Sequence, residues 1–121
     1  MPDVLVIGSP MHNFTVSASL KAWIDQVVRT DMTFKITEAG VEPLLKGKKA
    51  IIVTSRGGFV AGTAYDFQEP YLRAFFGFLG ITDVSFVQVE GQAIGLEVAA
   101  KGLAAAKSAI ASLAAVTKRA A

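Results

Sequence analysis

Three short runs, "VLVIGSP" (4–10), "KAIIVTS" (49–55) and "DVSFVQV" (83–89), constrain this chain more than any other feature. The first two are apolar almost without a break. A strand carries apolar side chains on both faces only where both faces are covered, as in a parallel sheet with helices above and below. The segments between the runs supply such helices. Leu20, Trp23, Ile24, Val27 and Val28 fall on one face of a helix near 18–29, and Leu72, Phe75, Phe76 and Leu79 repeat that stripe over 68–79. A third helix, from about Leu96 to Val116, sets Leu96, Leu103, Ile110 and Val116 on one side and Lys101, Lys107 and Ser108 on the other. Strand and helix alternate three times, which is the order of an open α/β sheet. It predicts three parallel strands joined by right-handed crossovers.

The punctuation fits this order. Ser17 or Ser19 caps the first helix, Pro70 suits the opening turn of the second, and Gly80 suits its end. Residues 31–48 hold Gly40, Pro43, Gly47 and one short extended piece, "TFKIT", and read as a long excursion of the kind that is functional or packs on a partner. The length of 121 residues suits a single domain spanning 1–121.

Composition removes several functions. With no cysteine and one histidine, the chain offers no disulfide, thiolate nucleophile or histidine-rich metal site. The net charge of +2 is accounted for by Lys118 and Arg119, and no basic-aromatic stripe exists elsewhere, so nucleic acid is not an expected partner. Apolar runs such as "AIIV" fall well short of the ~20 residues that span a bilayer, and no signal-like segment opens the chain. The expectation is a cytoplasmic protein without a membrane partner.

Open parallel sheets bind ligands beyond the carboxyl ends of their strands. Two loops are predicted there, "SPMHNF" and "TSRGGFVAGT" (54–63), and Gly57 with Gly58 in the second allows backbone to approach a flat ligand closely. Taken singly, Pro10 and the glycine pair are turn residues, Arg56 is a surface or helix-end charge, and Asn13 and His12 are turn or surface residues. Phe14, Phe75, Phe76 and Phe78 taken singly are core. Their joint occurrence, each loop directly after its own strand, makes a site.

The stretches "SPMHNF…LKAWID", "GKKAIIVTSRGG", "DFQEPYLRAFFGFLGITDV" and "VEGQAIG", four motifs in order over nearly the whole chain, resemble the FMN-dependent NADH:quinone reductases/azoreductases. The resemblance implies an α/β, flavodoxin-like open parallel sheet, doubly wound in the complete family fold and here incomplete, with three strands and three helices. It places Pro10, Met11, His12, Asn13 and Phe14 along the isoalloxazine ring, with the Asn13 amide and the backbone bonding its polar edge. Ser55, Arg56, Gly57 and Gly58 hold another side of the ring, and Phe14 and Phe78 line the place where a quinone or azo substrate stacks. It further implies NADH as electron donor, a homodimer with the site at its interface, and no side-chain catalyst, since the cofactor carries the chemistry. The match covers the C-terminal part of the family, whose members have two further strand–helix units ahead of it. The first loop of those units supplies the phosphate site, so the resemblance implies that this chain alone holds FMN weakly or not at all.

Without such units the apolar strand at Val4–Gly8 becomes an edge that invites pairing with another chain, most simply its own copy. A different reading follows from that edge: a non-catalytic, truncated flavodoxin-like module that self-associates or serves as a partner subunit without cofactor. A phosphorylatable receiver domain shares the strand order but needs an acidic Mg²⁺ cluster after the first strand, which the sequence lacks.

Overall fold

The computed structural model describes residues 2–120, and the side chains of Lys118, Arg119 and Ala120 lie outside the described set. Its elements are β1 (Val4–Pro10), α1 (Ala18–Val27), β2 (Phe34–Thr37), β3 (Gly40–Pro43), β4 (Lys49–Ser55), α2 (Glu69–Phe78), β5 (Asp83–Val89) and α3 (Leu96–Ala120). The three Val/Ile-rich runs form one sheet in the order β1-β4-β5, parallel throughout. Pro10 lies opposite Ser55, and Ser55 opposite Val89. The three strands therefore end at one level, and the chain that follows each starts from the same edge of the sheet.

Period-two alternation sorts the strand residues. Ala50 and Ile52 of β4 pack, fully buried, with Ile24 of α1 and Leu72, Phe75 and Phe76 of α2, while Leu5 and Ile7 of β1 border the same cluster. Each of the larger apolar side chains contributes about 1.5–3 kcal/mol when fully buried. Ser17, not Ser19, is the α1 cap, its Oγ accepting from Leu20 N at 3.2 Å. Gly80 (φ 94) closes α2, and Ile81 N reaches back to Phe76 O at 2.9 Å, the long bond of a Schellman stop.

Two expectations need correction. The excursion after α1 is not a single extended piece: β2 and β3 pair as an antiparallel hairpin, Phe34 opposite Pro43. Gly40, at φ 118, supplies the turn conformation that a side chain resists. The hairpin sits at the amino end of the sheet, where Leu45 N bonds Leu79 O at 2.9 Å. The second correction concerns α3. The line Leu96, Leu103, Ile110 and Val116 is exposed, Leu96 at 92%, and the helix meets β5 through Ala106 and Leu113 instead. Small residues decide this contact, because a Cβ at Gly102 would stand 2.5 Å from Glu90 O. Leu96–Thr117 is long and apolar enough by length and composition to cross a membrane. It also carries Glu97, Lys101 and Lys107 and packs on β5, as an amphipathic sheet-covering helix does.

The edge position of β1 agrees with expectation. Val6 is 70% exposed, and an apolar groove of about 180 Å³ lined by Val6, Ile51, Val53, Ile110, Leu113 and Ala114 runs between β1 and α3.

Candidate functional site

The first loop continues the sheet for one residue, Met11 N donating to Ser55 O at 2.9 Å. It then closes a two-residue hairpin turn: His12 N bonds Thr15 O at 2.9 Å and Thr15 N bonds His12 O at 3.1 Å. The two central residues, Asn13 (φ 45) and Phe14 (φ 73), are both left-handed. Asparagine tolerates that region, whereas a residue like phenylalanine is strained there by roughly 1–2 kcal/mol. The turn is held from outside, since Phe14 O accepts from Phe67 N at 3.0 Å and the Phe14 ring lies 5.6 Å from that of Tyr65. Strained residues kept in place by their surroundings cluster at ligand sites. His12 and Asn13 are exposed and face an open groove of about 500 Å³ beside α1, with Ser17, Lys21 and Tyr71.

The second loop is fixed through its carbonyls. Gln92 N, Ala93 N and Gly91 N donate to the oxygens of Arg56, Gly57 and Gly58 at 3.0, 3.0 and 3.1 Å, and Arg56 N donates to Val89 O at 2.9 Å. The N–H groups of Gly57 and Gly58 donate to no acceptor among the described residues. A Cβ at Gly58 would meet nothing within 4 Å. Two successive N–H groups without an acceptor at the end of a central strand can bond the polar edge of a flat ligand and favour negative charge on it.

Arg56 differs from its neighbours. It is 2% exposed, so it is not a surface charge. Its Nη1 and Nη2 grip Asp66 Oδ2 and Oδ1 at 2.9 and 3.1 Å, and Nη2 reaches Gln68 Oε1 at 3.3 Å. Glu90 Oε2 stands 3.9 Å from Nη1 and accepts from Val60 N and Ala61 N at 2.6 and 3.1 Å, which holds the outer half of the loop. Gly91 (φ 72) is confined as well, a Cβ there falling 2.8 Å from both Phe59 Cζ and Val98 Cγ1. Asp66, Gln68, Glu90 and Gly91 are site-building residues that sequence reasoning did not single out. The signal was their placement in two of the quoted motifs, Asp66 and Gln68 in "DFQEP" just ahead of a helix start and Glu90 and Gly91 in "VEGQAIG" just after a strand.

Burial pushes the Asp66 carboxyl up, but the hydrogen bond from Arg56, the N–H groups of Glu69 and Gln68 and the Arg56 charge outweigh it, and the group titrates below its ordinary 3.8. A lowered folded value stabilises the fold in full above 3.8, and that contribution is lost as pH falls through the folded value. Urea midpoints of the parent should therefore be level from this group near neutrality and decline below pH 3.8. In Asp66→Asn that part of the acid decline should be missing.

Phe78 is not with these loops. It lies at the far end of α2, its ring 5.2 Å from Phe34 of the hairpin. Phe67, which bonds the first loop, precedes that helix, and ten helical residues span about 15 Å. Within one copy, Phe14 and Phe78 therefore lie toward opposite ends of α2.

A parallel three-stranded sheet with both loops at its carboxyl end defines a class, and comparison with known proteins agrees. Residues 2–114 match the family described as flavodoxin-like fold, and the chain belongs to that family. It is 52% identical over 112 residues to an FMN-dependent NADH:quinone oxidoreductase of Azotobacter vinelandii, which covers 93% of this chain and 56% of that protein. It is 51% identical over 107 residues to FMN-dependent NADH:quinone oxidoreductase 3 of Pseudomonas aeruginosa, covering 88% and 50%. Among solved structures, an FMN-dependent NADH-azoreductase of Bacillus anthracis in complex with FMN superposes with a TM-score of 0.79 at 32% identity, over 93% of this chain and 57% of that one. The chain spans about half the length of the curated relatives it matches.

Proposed function

We propose that this chain forms the ring-binding part of a cytoplasmic FMN-dependent NADH:quinone reductase or azoreductase that acts as a homodimer. The observation that carries the reading is the pair of Gly57 and Gly58 N–H groups, which have no acceptor among the described residues, with room for a Cβ at Gly58, at the end of the sheet where the strained Asn13–Phe14 turn also stands. When bound, FMN supplies the redox chemistry, accepting a hydride from NADH and passing two electrons to a quinone or azo compound. The chain's residues bind and orient. Gly57 and Gly58 N–H and the Asn13 amide bond the polar edge of the ring, with the backbone from Pro10 to His12 and Ser55 along its sides. Phe14 offers an exposed aromatic face for substrate, and Phe78 of a second copy completes the stack. Arg56 acts from within, by holding the loops.

In the presence of FMN and a simple benzoquinone, NADH should be consumed in proportion to protein. Consumption no faster than with free FMN would sink the proposal. Gly58→Val separates binding from folding. Because its Cβ meets nothing, stability should stay within about 0.5 kcal/mol of the parent, while the branched side chain blocks the ring and weakens FMN binding on the order of tenfold or more. Thermal melting and flavin fluorescence check the two halves.

The second reading, a self-associating or partner module without cofactor, is favoured by the uncovered β1 edge and the apolar groove beside it. A protein that forms a stable complex through β1 and leaves flavin fluorescence unchanged would support it.

A further inference from the structure

We propose that Gln68, anchored by Arg56 and Asp66, is a positioning residue that sets the first loop against the second, so that the two walls of the candidate site are fixed as one unit. The consequence for ligand binding rests on the flavin reading above; the mechanical coupling does not.

Gln68 is fully buried, and both ends of its amide are committed. Nε2 donates to Ser9 O at 2.7 Å and to Ser9 Oγ at 3.0 Å, while Oε1 accepts from Arg56 Nη2 at 3.3 Å. Only this orientation satisfies both neighbours, because the reversed amide would set NH₂ against guanidinium donors and oxygen against the Ser9 carbonyl. Ser9 immediately precedes Pro10, and Arg56 immediately precedes Gly57, so one side chain spans the roots of the two loops. The amide cannot drift. Asp66 Oδ1 accepts from Gln68 N and Glu69 N, each at 3.1 Å, which pins the backbone of Gln68 at the start of α2, and the same carboxylate takes the Arg56 fork. Phe67 between them bonds Phe14 O through its N–H and accepts from Thr15 Oγ1 at 3.3 Å. The side chains of Asp66 and Gln68, with the Phe67 backbone, thus bond both loops and the helix start that carries them. An apolar residue at 68 would fill the space but leave the Ser9 carbonyl and the guanidinium edge unmet.

The test uses the absence of native cysteine. Spin labels at His12→Cys and Phe59→Cys, both exposed positions, report the separation of the loops by pulsed electron resonance without any ligand. The parent background should give one narrow distance distribution. Gln68→Ala should split it or broaden it about twofold, and so should Gln68→Glu, which keeps an acceptor for Arg56 but cannot donate to Ser9. A distribution of unchanged width, with only the melting temperature lowered, would overturn the proposal, because the network would then be structural alone. Loss of the whole fold in both variants would overturn it equally, assigning Gln68 to the core. In unlabelled protein, Gln68→Glu should weaken FMN binding on the order of tenfold. If the parent takes up no flavin, the distance result still stands, and the failure belongs to the flavin reading.

Discussion

Arg56→Ala is expected to destabilise the chain by about 3–5 kcal/mol, the range for removing one partner of a buried ion pair. The Asp66 side chain is 5% exposed and would stay behind as a charge held only by two backbone N–H groups, with Gln68 Oε1 losing its donor. Much of the loss comes from the uncompensated carboxylate rather than from the worth of the pair. Asp66→Asn placed in the Arg56→Ala background should therefore recover part of it, a coupling that a double-mutant cycle in urea measures directly. An Arg56→Ala penalty below about 1 kcal/mol, the range of an exposed pair, would mean that the fork contributes little.

The second large effect is on association. β1 exposes Val6 and presents one unpaired backbone edge, and the groove against α3 is apolar. An exposed strand edge is a ready template for another chain, and covering the apolar groove beside it removes further apolar surface from water. A two-fold axis beside β1 would join two copies antiparallel into one continuous sheet and close the contact. Light scattering should return at least twice the 12.7 kDa of one chain. Val6→Lys, which sets a charge on the edge, should weaken that association on the order of tenfold or more with little change in melting. A parent that runs as a monomer at high concentration, with full thermal stability, would defeat this expectation.

Much of this architecture was legible in the sequence. The runs at Val4–Pro10 and Lys49–Ser55 announce themselves because a strand covered on both faces has few alternatives, and the two loops follow automatically once their strands are parallel. Side-chain direction was not legible. Whether Arg56 faces solvent or protein depends on Asp66 and Gln68, ten and twelve residues further on, and on Glu90 after another strand. Which face of α3 meets the sheet was not legible either: the large apolar residues from Leu96 to Val116 stay exposed, and the sheet accepts the face where Gly102 and Ala106 permit close approach. Gly40 signalled a break in the excursion but not that the flanking residues would pair. Nothing in "MHNFT" distinguishes an ordinary turn from one that forces Phe14 into left-handed backbone, a conformation imposed by Phe67 and Tyr65 from the far side of the chain.

In the proposed reading Pro10–Phe14 and Ser55–Gly58 form a wall for the flavin ring, and none of the described residues is assigned to its phosphate. Parallel fluorescence titrations of this chain with FMN and with riboflavin test it most directly. The account predicts that both are quenched, with dissociation constants within about threefold of each other (~0.7 kcal/mol), and that Gly58→Val weakens both alike. Quenching of neither flavin, or FMN binding that far exceeds riboflavin binding and ignores Gly58→Val, would contradict it.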